Sequence, residues 1–512
     1  MATVPHHRVI VVGTGFSGLG MAIRLSQRGE DDYVVLEKAQ DVGGTWRDNR
    51  YPGCACDVPS RLYSFSFAQN PSWSREFAPA GEIWDYLRRC AREHDVERHL
   101  RFGADLRSLV YDEPSARWTA TVADGRQWTA DAVVLGIGAL HEPSLPDIPG
   151  LASFGGPVHH SARWPEGDDG LTGKRVAVVG TGASSVQLVP ALAPRAAQVH
   201  VFQRTPAWIL PKRDRELGAA RKAAYRRIPG LQRAVRWATY WELESRVLAF
   251  SRYPAAMKLV ERVARRHLAK SVRDPQVRAA LTPDYTIGCK RILISNDYWA
   301  AFDRDDVELV TDAITGVEPG AVVTADGTRR EVDAIVLGTG FSVTGSYDRL
   351  EVRGLDGRSL EQAWSGGMRT HLGVTTAGFP QLYFLLGPNT GLGHTSVVMM
   401  IEWATGYVLQ ALDHARRRRG PVVVTDAAQE RFTREMRTRS RRTVWASGCR
   451  SWYLDRFGNN TTVWPGSTLS YWWRTRRLDR ADFATVAPRP PGTGAQPAAE
   501  TVGAEPVPAD RS

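Results

Sequence analysis

Two glycine-rich loops, each followed 24 residues later by a charged side chain, carry the clearest chemistry in this chain. The first loop is Gly13-x-Gly15-x-x-Gly18, between the apolar run Val9–Val12 and a helical pattern. In such a loop the first glycine makes the tight turn and the second lets backbone approach a pyrophosphate. The third lets helix and strand pack closely. Free N–H groups at the helix N-terminus then favour an anion. Glu37 ends the next strand-like run, YVVLEK, where a carboxylate can accept ribose hydroxyl protons. The second loop is Gly180-x-Gly182-x-x-Ser185, after Val176–Val179; serine is small enough to keep the close packing. Here the residue 24 positions beyond the first glycine is Arg204, not an acid. A guanidinium suits a 2′-phosphate through a charge-assisted bidentate contact. The first fold is thus expected to hold an unphosphorylated dinucleotide such as FAD, and the second NADPH. Two nucleotide folds in one chain point to a flavin–nicotinamide oxidoreductase. The bland readings are a plain strand–helix turn for the loops and a surface cation for Arg204.

Other residues could do chemistry or nothing. Adjacent His159 and His160 invite a metal reading, whereas the Trp164-Pro165 that follows invites a turn between domains. Lys290-Arg291 reads, from the residues alone, as a solvated cation pair. Asp57 could start a turn before Pro59, and Trp46 could be core packing. Cys54-Ala55-Cys56 has neither a second cysteine pair nor histidines at zinc spacing, so no metal site is expected. It also lacks the dithiol spacing of a disulfide reductase. Cys289, beside Lys290, reads as a bystander.

The elements that must position these groups fit an α/β chain of several domains. Its 512 residues exceed one core, and 43% hydrophobic with 24% charged residues is ordinary globular composition. The net charge of +11 is assigned to arginine-rich composition plus anionic cofactors. Arg416–Arg419 is expected at a solvated helix end, where cations suit the dipole. Five cysteines without a secretory signal favour a reducing, cytoplasmic setting. No apolar stretch is long enough to span a bilayer.

Longer patterns identify a family. FGGPVHHSARWP resembles the fingerprint F-x-G-x-x-x-H-x-x-x-W-P, with Phe154, Gly156, His160, Trp164 and Pro165 in place. GGTWRDNRYPGCACD matches G-G-x-W-x-x-x-x-Y-P-G-x-x-x-D, and GCKR at Gly288–Arg291 is a third match. The chain therefore resembles the Type I Baeyer–Villiger monooxygenases, a branch of the class B flavoprotein monooxygenases, from about Arg8 to Arg477. The resemblance implies that NADPH reduces FAD and that reduced flavin takes up O2 as a peroxyflavin. The peroxyflavin attacks a ketone, and rearrangement gives an ester or lactone. A fixed cation and exclusion of water both serve an anionic peroxide. By the same resemblance Arg291 is that cation and Asp57 its partner. Arg204, Thr205 and Lys290 hold the 2′-phosphate. Gly180, Thr181, Gly182, Ser184, Ser185 and Gln187 form the rest of the NADPH site. Gly13, Gly15, Ser17, Gly18, Glu37, Thr45, Trp46, Asp57 and Tyr63 contact FAD. S- or N-oxygenation of soft heteroatoms by the same chemistry is the alternative activity.

The expected architecture is two Rossmann-like dinucleotide-binding domains with a helical insertion. FAD segments occupy 1–145 and 336–483, and a Pro/Gly-rich linker 146–168 leads to an NADPH domain at 169–335. A helical insertion at about 214–282 is expected to cover the active site or shape the substrate pocket; a basic membrane-surface patch is the lesser reading. A helix N-terminus near Gly393 could face the flavin. Trp452, Trp464, Trp472 and Trp473 could line the cavity or pack on the FAD domain. The tail 484–512 is expected to be disordered. His160 and Trp164 are expected at the interdomain hinge. A ketone and O2 are the expected partners, with no nucleic acid, in a monomer or weak homo-oligomer.

Overall fold

The computed structural model describes residues 3–252, 254–449 and 451–487. Two sheets of mostly parallel strands dominate it, each seeded by β-branched residues that are buried on both faces. In the first sheet β1 (His6–Val12) is central, between β2 (Tyr33–Leu36) and β6 (Gln127–Leu135). Val9 pairs with Tyr33 on one side and Ala132 on the other, both in parallel register. β3 (Leu100–Arg101) edges β2, and β4 (Leu106–Asp112) with β5 (Arg117–Val122) form an antiparallel ribbon on β6. Helices α1 (Phe16–Gln27) and α3 (Ala80–Glu93) cover one face, after the short α2 (Thr45–Asp48).

The second sheet is built from β7 (Val158–His160), β8 (Arg175–Val179) and β9 (Gln198–Phe202), joined by two later strands. Helix α4 (Ala183–Leu192) follows β8. β10 (Ile209–Leu210) pairs with β11 (Leu293–Ile294), which anchors the loop just before it, Gly288–Arg291. Between them run α5 (Ala219–Arg227), α6 (Leu231–Glu244), α7 (Met257–Ser271) and α8 (Pro275–Ala280), the expected helical insertion. After α9 (Tyr298–Ala301) come β12 (Val307–Val310), the ribbon β13 (Ile314–Glu318), β14 (Ala321–Thr324) and β15 (Arg329–Glu331), and β16 (Ala334–Leu337). The parallel order is β12-β9-β8-β16-β7.

The chain then returns. β17 (Glu351–Arg353) pairs with β4 and, past α10 (Leu360–Ala363), β18 (Leu382–Phe384) pairs with β6. Helix α11 (Val397–Arg418) packs on α1, completing the first domain. β19 (Val422–Val424), α12 (Asp426–Ser440), α13 (Thr468–Thr475) and β20 (Phe483–Thr485) close the chain. The arginine run ends α11 as expected, with Arg419 in the left-handed cap.

Three expectations change. The segment 146–168 is not simply a linker, because Val158–His160 is a strand of the second sheet, paired with Ile335–Leu337. Gly156 explains the fit: a Cβ there would lie 2.2 Å from the Asp333 carbonyl oxygen. That sheet also continues to Leu337, two residues past the expected boundary at 335. The tail does not begin at 484, since Ala484 and Thr485 pair with Val423 and Val422. Residues 488–512 lie outside the described residues, so the disorder expected there is not addressed.

The two crossings between domains lie side by side. Pro143 and Phe341 form an antiparallel bridge. Ser144 N donates to Gly340 O at 2.9 Å, Ser342 N to Glu142 O at 2.9 Å, and Thr339 Oγ1 to Ser144 O at 2.6 Å. The hinge is therefore a short two-stranded ribbon.

Candidate active site

A cavity of about 500 Å³ lies at the carboxyl ends of the first sheet and reaches the second domain. Ligand sites in open α/β folds sit at this end of the strands. Gly13, Gly15, Ser17, Glu37, Thr45, Trp46, Asp57, Tyr63, Ser184, Gln187 and Arg291 all line it. Gly18 is behind the loop instead, where a Cβ would lie 1.8 Å from Gly13 O. Gly13 itself has φ +91° and touches Gly136, so chain geometry demands it. Gly15 is different. Its virtual Cβ meets nothing closer than 3.8 Å, so the chain does not need a glycine there. It caps α1 without a side-chain bond, leaving the first-turn N–H groups free. The second loop repeats this: Gly180 has φ +104° and abuts Gly338, whereas Gly182 has open space and caps α4 with no side chain. Both loops keep glycine where only an incoming ligand would need the room. This fits two pyrophosphate groups.

Glu37 is 3% exposed and faces the cavity, but it is already engaged. Its Oε2 accepts from Thr14 N and Oγ1, and its Oε1 from Ala39 N and Arg47. The carboxylate thus also braces the glycine loop, a role that its position alone did not suggest. Beside it Glu142 gathers Lys38, His141 and Arg349 on the same wall. Sequence reasoning missed this hub, whose members come from three distant segments.

Arg291 and Asp57 meet across 234 positions, with Nε–Oδ2 at 3.1 Å and Nη2–Oδ2 at 2.5 Å. Asp57 and, next to it, burial act in opposite senses on the guanidinium; the nearby Asp57 charge dominates and raises its pKa. Arg291 therefore stays charged at any working pH. Tyr453 packs close to this pair and is fully buried, with its phenol pushed up to about 12 by burial. Trp46 Nε1 donates to Tyr63 OH at 3.2 Å, and Thr45 Oγ1 to Leu140 O at 3.4 Å, so both motif residues are tied to the cavity wall.

Lys290 points the other way, over the Tyr285 ring at 4.6 Å. Burial first, then the Arg204 charge, hold its ammonium below the ordinary lysine range. Two cations placed close together on the second domain make a site for a phosphate dianion. Neither they nor Thr205 lines the large cavity; Thr181 Oγ1 donates to Thr205 O at 2.8 Å, joining the loop to this cation site. Ser185 is fully buried under Gly338, so it packs the loop and is not exposed to a ligand.

The second fingerprint also docks the domains. Tyr51 OH donates to Gln187 Oε1 at 2.9 Å, and Gln187 Nε2 donates to Ala55 O at 2.9 Å. Gly53 lies so close to α4 that a Cβ would be 2.5 Å from Gln187 O. Tyr51 and Trp164 share the core of the second domain. His160 is buried; its Nδ1 accepts from Ala162 N at 3.1 Å, and its ring stands 6.3 Å from Phe341 on the hinge ribbon. Burial, then Arg163, lower its pKa, so it is neutral near pH 7. Its partner His159 packs on Trp164. Phe154 packs under the β13–β14 ribbon, and Pro165 sits outside the cavity.

Further expectations are corrected. Among the described residues, none of the helical insertion lines the large cavity. Its helix α6 packs on the first domain instead, where Arg236 donates to the carbonyls of Arg61, Leu62 and Ser64. The helix expected near Gly393 begins at Val397, capped by Ser396, although Thr395 and Val397 do face the cavity. The C-terminal tryptophans divide: Trp452 lines the cavity, Trp464 is in the first core, and Trp473 is exposed under Arg476. Cys289 is not a bystander. It forms a disulfide with Cys449, Cα–Cα 6.3 Å, tying the Gly288–Arg291 loop to the C-terminal segment. Cys54, Cys56 and Cys90 are free, and burial raises all three thiols, Cys54 to about 12 and Cys90 to about 11. None is a nucleophile near neutrality.

Known proteins resemble this chain along most of its length. The family described as "Flavin-binding monooxygenase-like" matches residues 6–224. A protein named Baeyer-Villiger monooxygenase from Streptomyces coelicolor is 45% identical over 98% of this chain and 96% of its own length. One of the same name from Pseudomonas aeruginosa is 47% identical over 94% and 90%. The crystal structure of OTEMO in complex with FAD and NADP superposes with a TM-score of 0.86 at 28% identity, covering 94% of this chain and all of that one.

The cysteine pairing has a direct check. Alkylation of the denatured, unreduced protein should label three thiols, and reduction should raise the count to five. Five labels without reduction would rule out the Cys289–Cys449 bond.

Proposed function

The chain belongs to the Baeyer–Villiger monooxygenases of the flavin-binding monooxygenase-like family, and from that premise we propose that Arg291 is the cation at its reacting centre and Asp57 the group that holds it. The enzyme is an FAD-dependent, NADPH-using oxidoreductase. It inserts one oxygen atom of O2 beside a ketone carbonyl to give an ester or lactone. The other oxygen leaves as water, with electrons from NADPH. Bound FAD supplies the activation of O2.

The protein's own residues supply placement and charge. The Gly13–Gly18 loop and the free N-terminus of α1 receive the FAD pyrophosphate, with Glu37 and Thr45 beside it. Gly180, Gly182 and the N-terminus of α4 receive that of NADPH, with Arg204 and Lys290 taking the 2′-phosphate. Arg291, oriented by two bonds to Asp57, presents a fixed positive charge where negative charge develops beside the carbonyl. The observation that carries this reading is the Arg291–Asp57 pair on the wall shared by both dinucleotide halves. Action as a monomer or weak homo-oligomer is part of the proposal. A cytoplasmic setting is part of the proposal, although the Cys289–Cys449 disulfide runs against the reducing setting read from the cysteine count; among the described residues no helix is long and apolar enough to cross a membrane.

Arg291→Ala should lower ester formation from a ketone panel by about 10²–10³-fold and leave flavin reduction by NADPH near its normal rate. Sulfide oxygenation, which needs no charge beside a carbonyl, should survive better. Esters at the normal rate would overturn the role given to Arg291.

Arg204→Ala should raise KM for NADPH by about 10- to 100-fold, as expected for a lost charged hydrogen bond. KM for NADH should hardly move. An equal change for both coenzymes would remove Arg204 from the 2′-phosphate site.

His160 is proposed to seat the hinge ribbon, not to touch substrate. His160→Ala should slow flavin reduction or raise hydrogen peroxide release per NADPH consumed. A variant unchanged in both, by stopped-flow absorbance and a peroxide assay, would sink the idea.

A further inference from the structure

A second cavity of about 350 Å³ lies between α6 of the insertion and helices α1 and α11 of the first domain. Its inner end is cationic. Arg236 is only 6% exposed, and its Nη1 is consumed by the three carbonyls of Arg61, Leu62 and Ser64. Its Nη2 is buried with no hydrogen-bond partner. The nearest acid, Glu402, stands 3.6 Å away, beyond hydrogen-bonding reach, and its Oε1 is already taken by Ser66 N and Oγ. The Arg236–Glu402 ion pair balances the charge but leaves Nη2 without a hydrogen bond, which one more acceptor would complete. Arg24 and Arg233 line the same cavity and are exposed at its mouth. Three guanidiniums thus face one carboxylate.

The remaining walls are apolar and aromatic: Phe65, Phe67, Tyr240, Met399 and Trp403. Trp237, 53% exposed, stands at the rim with its ring edge-on to Tyr240. The volume is at the low end of small-molecule sites, which span ~300–1,000 Å³. A guanidinium fork at one end and an aromatic trough at the other match one ligand chemistry. We propose that this cavity binds a single-chain amphiphilic carboxylate, its carboxylate on Arg236 and Arg233 and its apolar body along Phe65, Tyr240 and Trp237. Arg233, exposed at the mouth, can meet the carboxylate in bidentate fashion, and Arg236 Nη2 offers one further donor. The site is separate from the oxygenation cavity but shares a wall with it, because Ile401 lines both. Occupancy therefore reaches α11, whose N-terminus faces the large cavity.

The FAD-loaded enzyme saturated with NADP+ is titrated with decanoate, below its micelle concentration, by calorimetry and by flavin absorbance. Decanol serves as the neutral control and phosphatidylglycerol vesicles as the membrane arm. Decanoate should bind at one site, decanol far more weakly. Arg233→Glu and Trp237→Ala, both at exposed positions, should each weaken decanoate by about tenfold or more with ketone oxidation unchanged when decanoate is absent. Absence of saturable binding overturns the proposal. So does binding that a ketone substrate displaces and Arg233→Glu leaves intact, which would place decanoate in the oxygenation cavity. Vesicle binding lost in both variants, without binding of monomeric decanoate, overturns it in favour of a membrane face. The binding readouts do not depend on oxygen insertion, so they stand apart from the role of Arg291.

Discussion

The Arg291–Asp57 ion pair is the constraint around which the rest is arranged. Asp57 comes from the first dinucleotide fold and Arg291 from a loop at the edge of the second, so the pair exists only when the two domains are docked. Its side chains are 35% and 26% exposed, and an isolated pair so exposed would contribute little stability. Its value is positional. A guanidinium gripped by one carboxylate oxygen through two donors has little freedom left, and a preorganised charge is what stabilises a developing anion without reorganisation.

Several independent contacts hold that docking. Gln187 reaches from α4 to Tyr51 and Ala55, and Gly53 lets α4 approach closely. The Cys289–Cys449 bond ties the Arg291 loop to the C-terminal segment, and so to chain that returns to the first domain. The Gly288–Arg291 loop is therefore fastened to both bodies. Its two cations divide accordingly: Lys290 faces Arg204 on the second domain, and Arg291 faces Asp57 on the first. Adjacent side chains leave this turn in opposite directions, as the roles proposed for Lys290 and Arg291 require.

Much of this was legible in the sequence, for definite reasons. The two folds could be read because turn, pyrophosphate approach and helix packing each dictate a residue type at a fixed local spacing, and Glu37 against Arg204 set the two loops apart. The pairing of Asp57 with Arg291 came from matched family motifs; nothing local to either residue announces it. What escaped detection was long-range. Val158–His160 reads as linker because three residues between glycines and a proline carry too little pattern to reveal that β16 will pair with them. Cys289 and Cys449 lie 160 positions apart, and spacing gives no hint of closure. Glu37 could be placed in the ribose position, but not its bonds to Thr14, Ala39 and Arg47, which depend on how three loops converge.

The helical insertion was misread for a related reason. Its amphipathic pattern requires that it cover something, and pattern cannot say what. The structure turns α6 toward the first domain, because Arg236 finds three free carbonyls at the Arg61–Ser64 turn and Glu244 finds His394 and Thr468. Both contacts are buried polar groups that would be costly unpaired. They fix α6 against the domain whose helix α11 starts at the large cavity, and among the described residues the insertion does not line that cavity. His394 adjoins Thr395 on the cavity wall, so the insertion bears on that wall from behind, through the buried Glu244–His394 pair and through Phe250, which packs on His394 and Trp445.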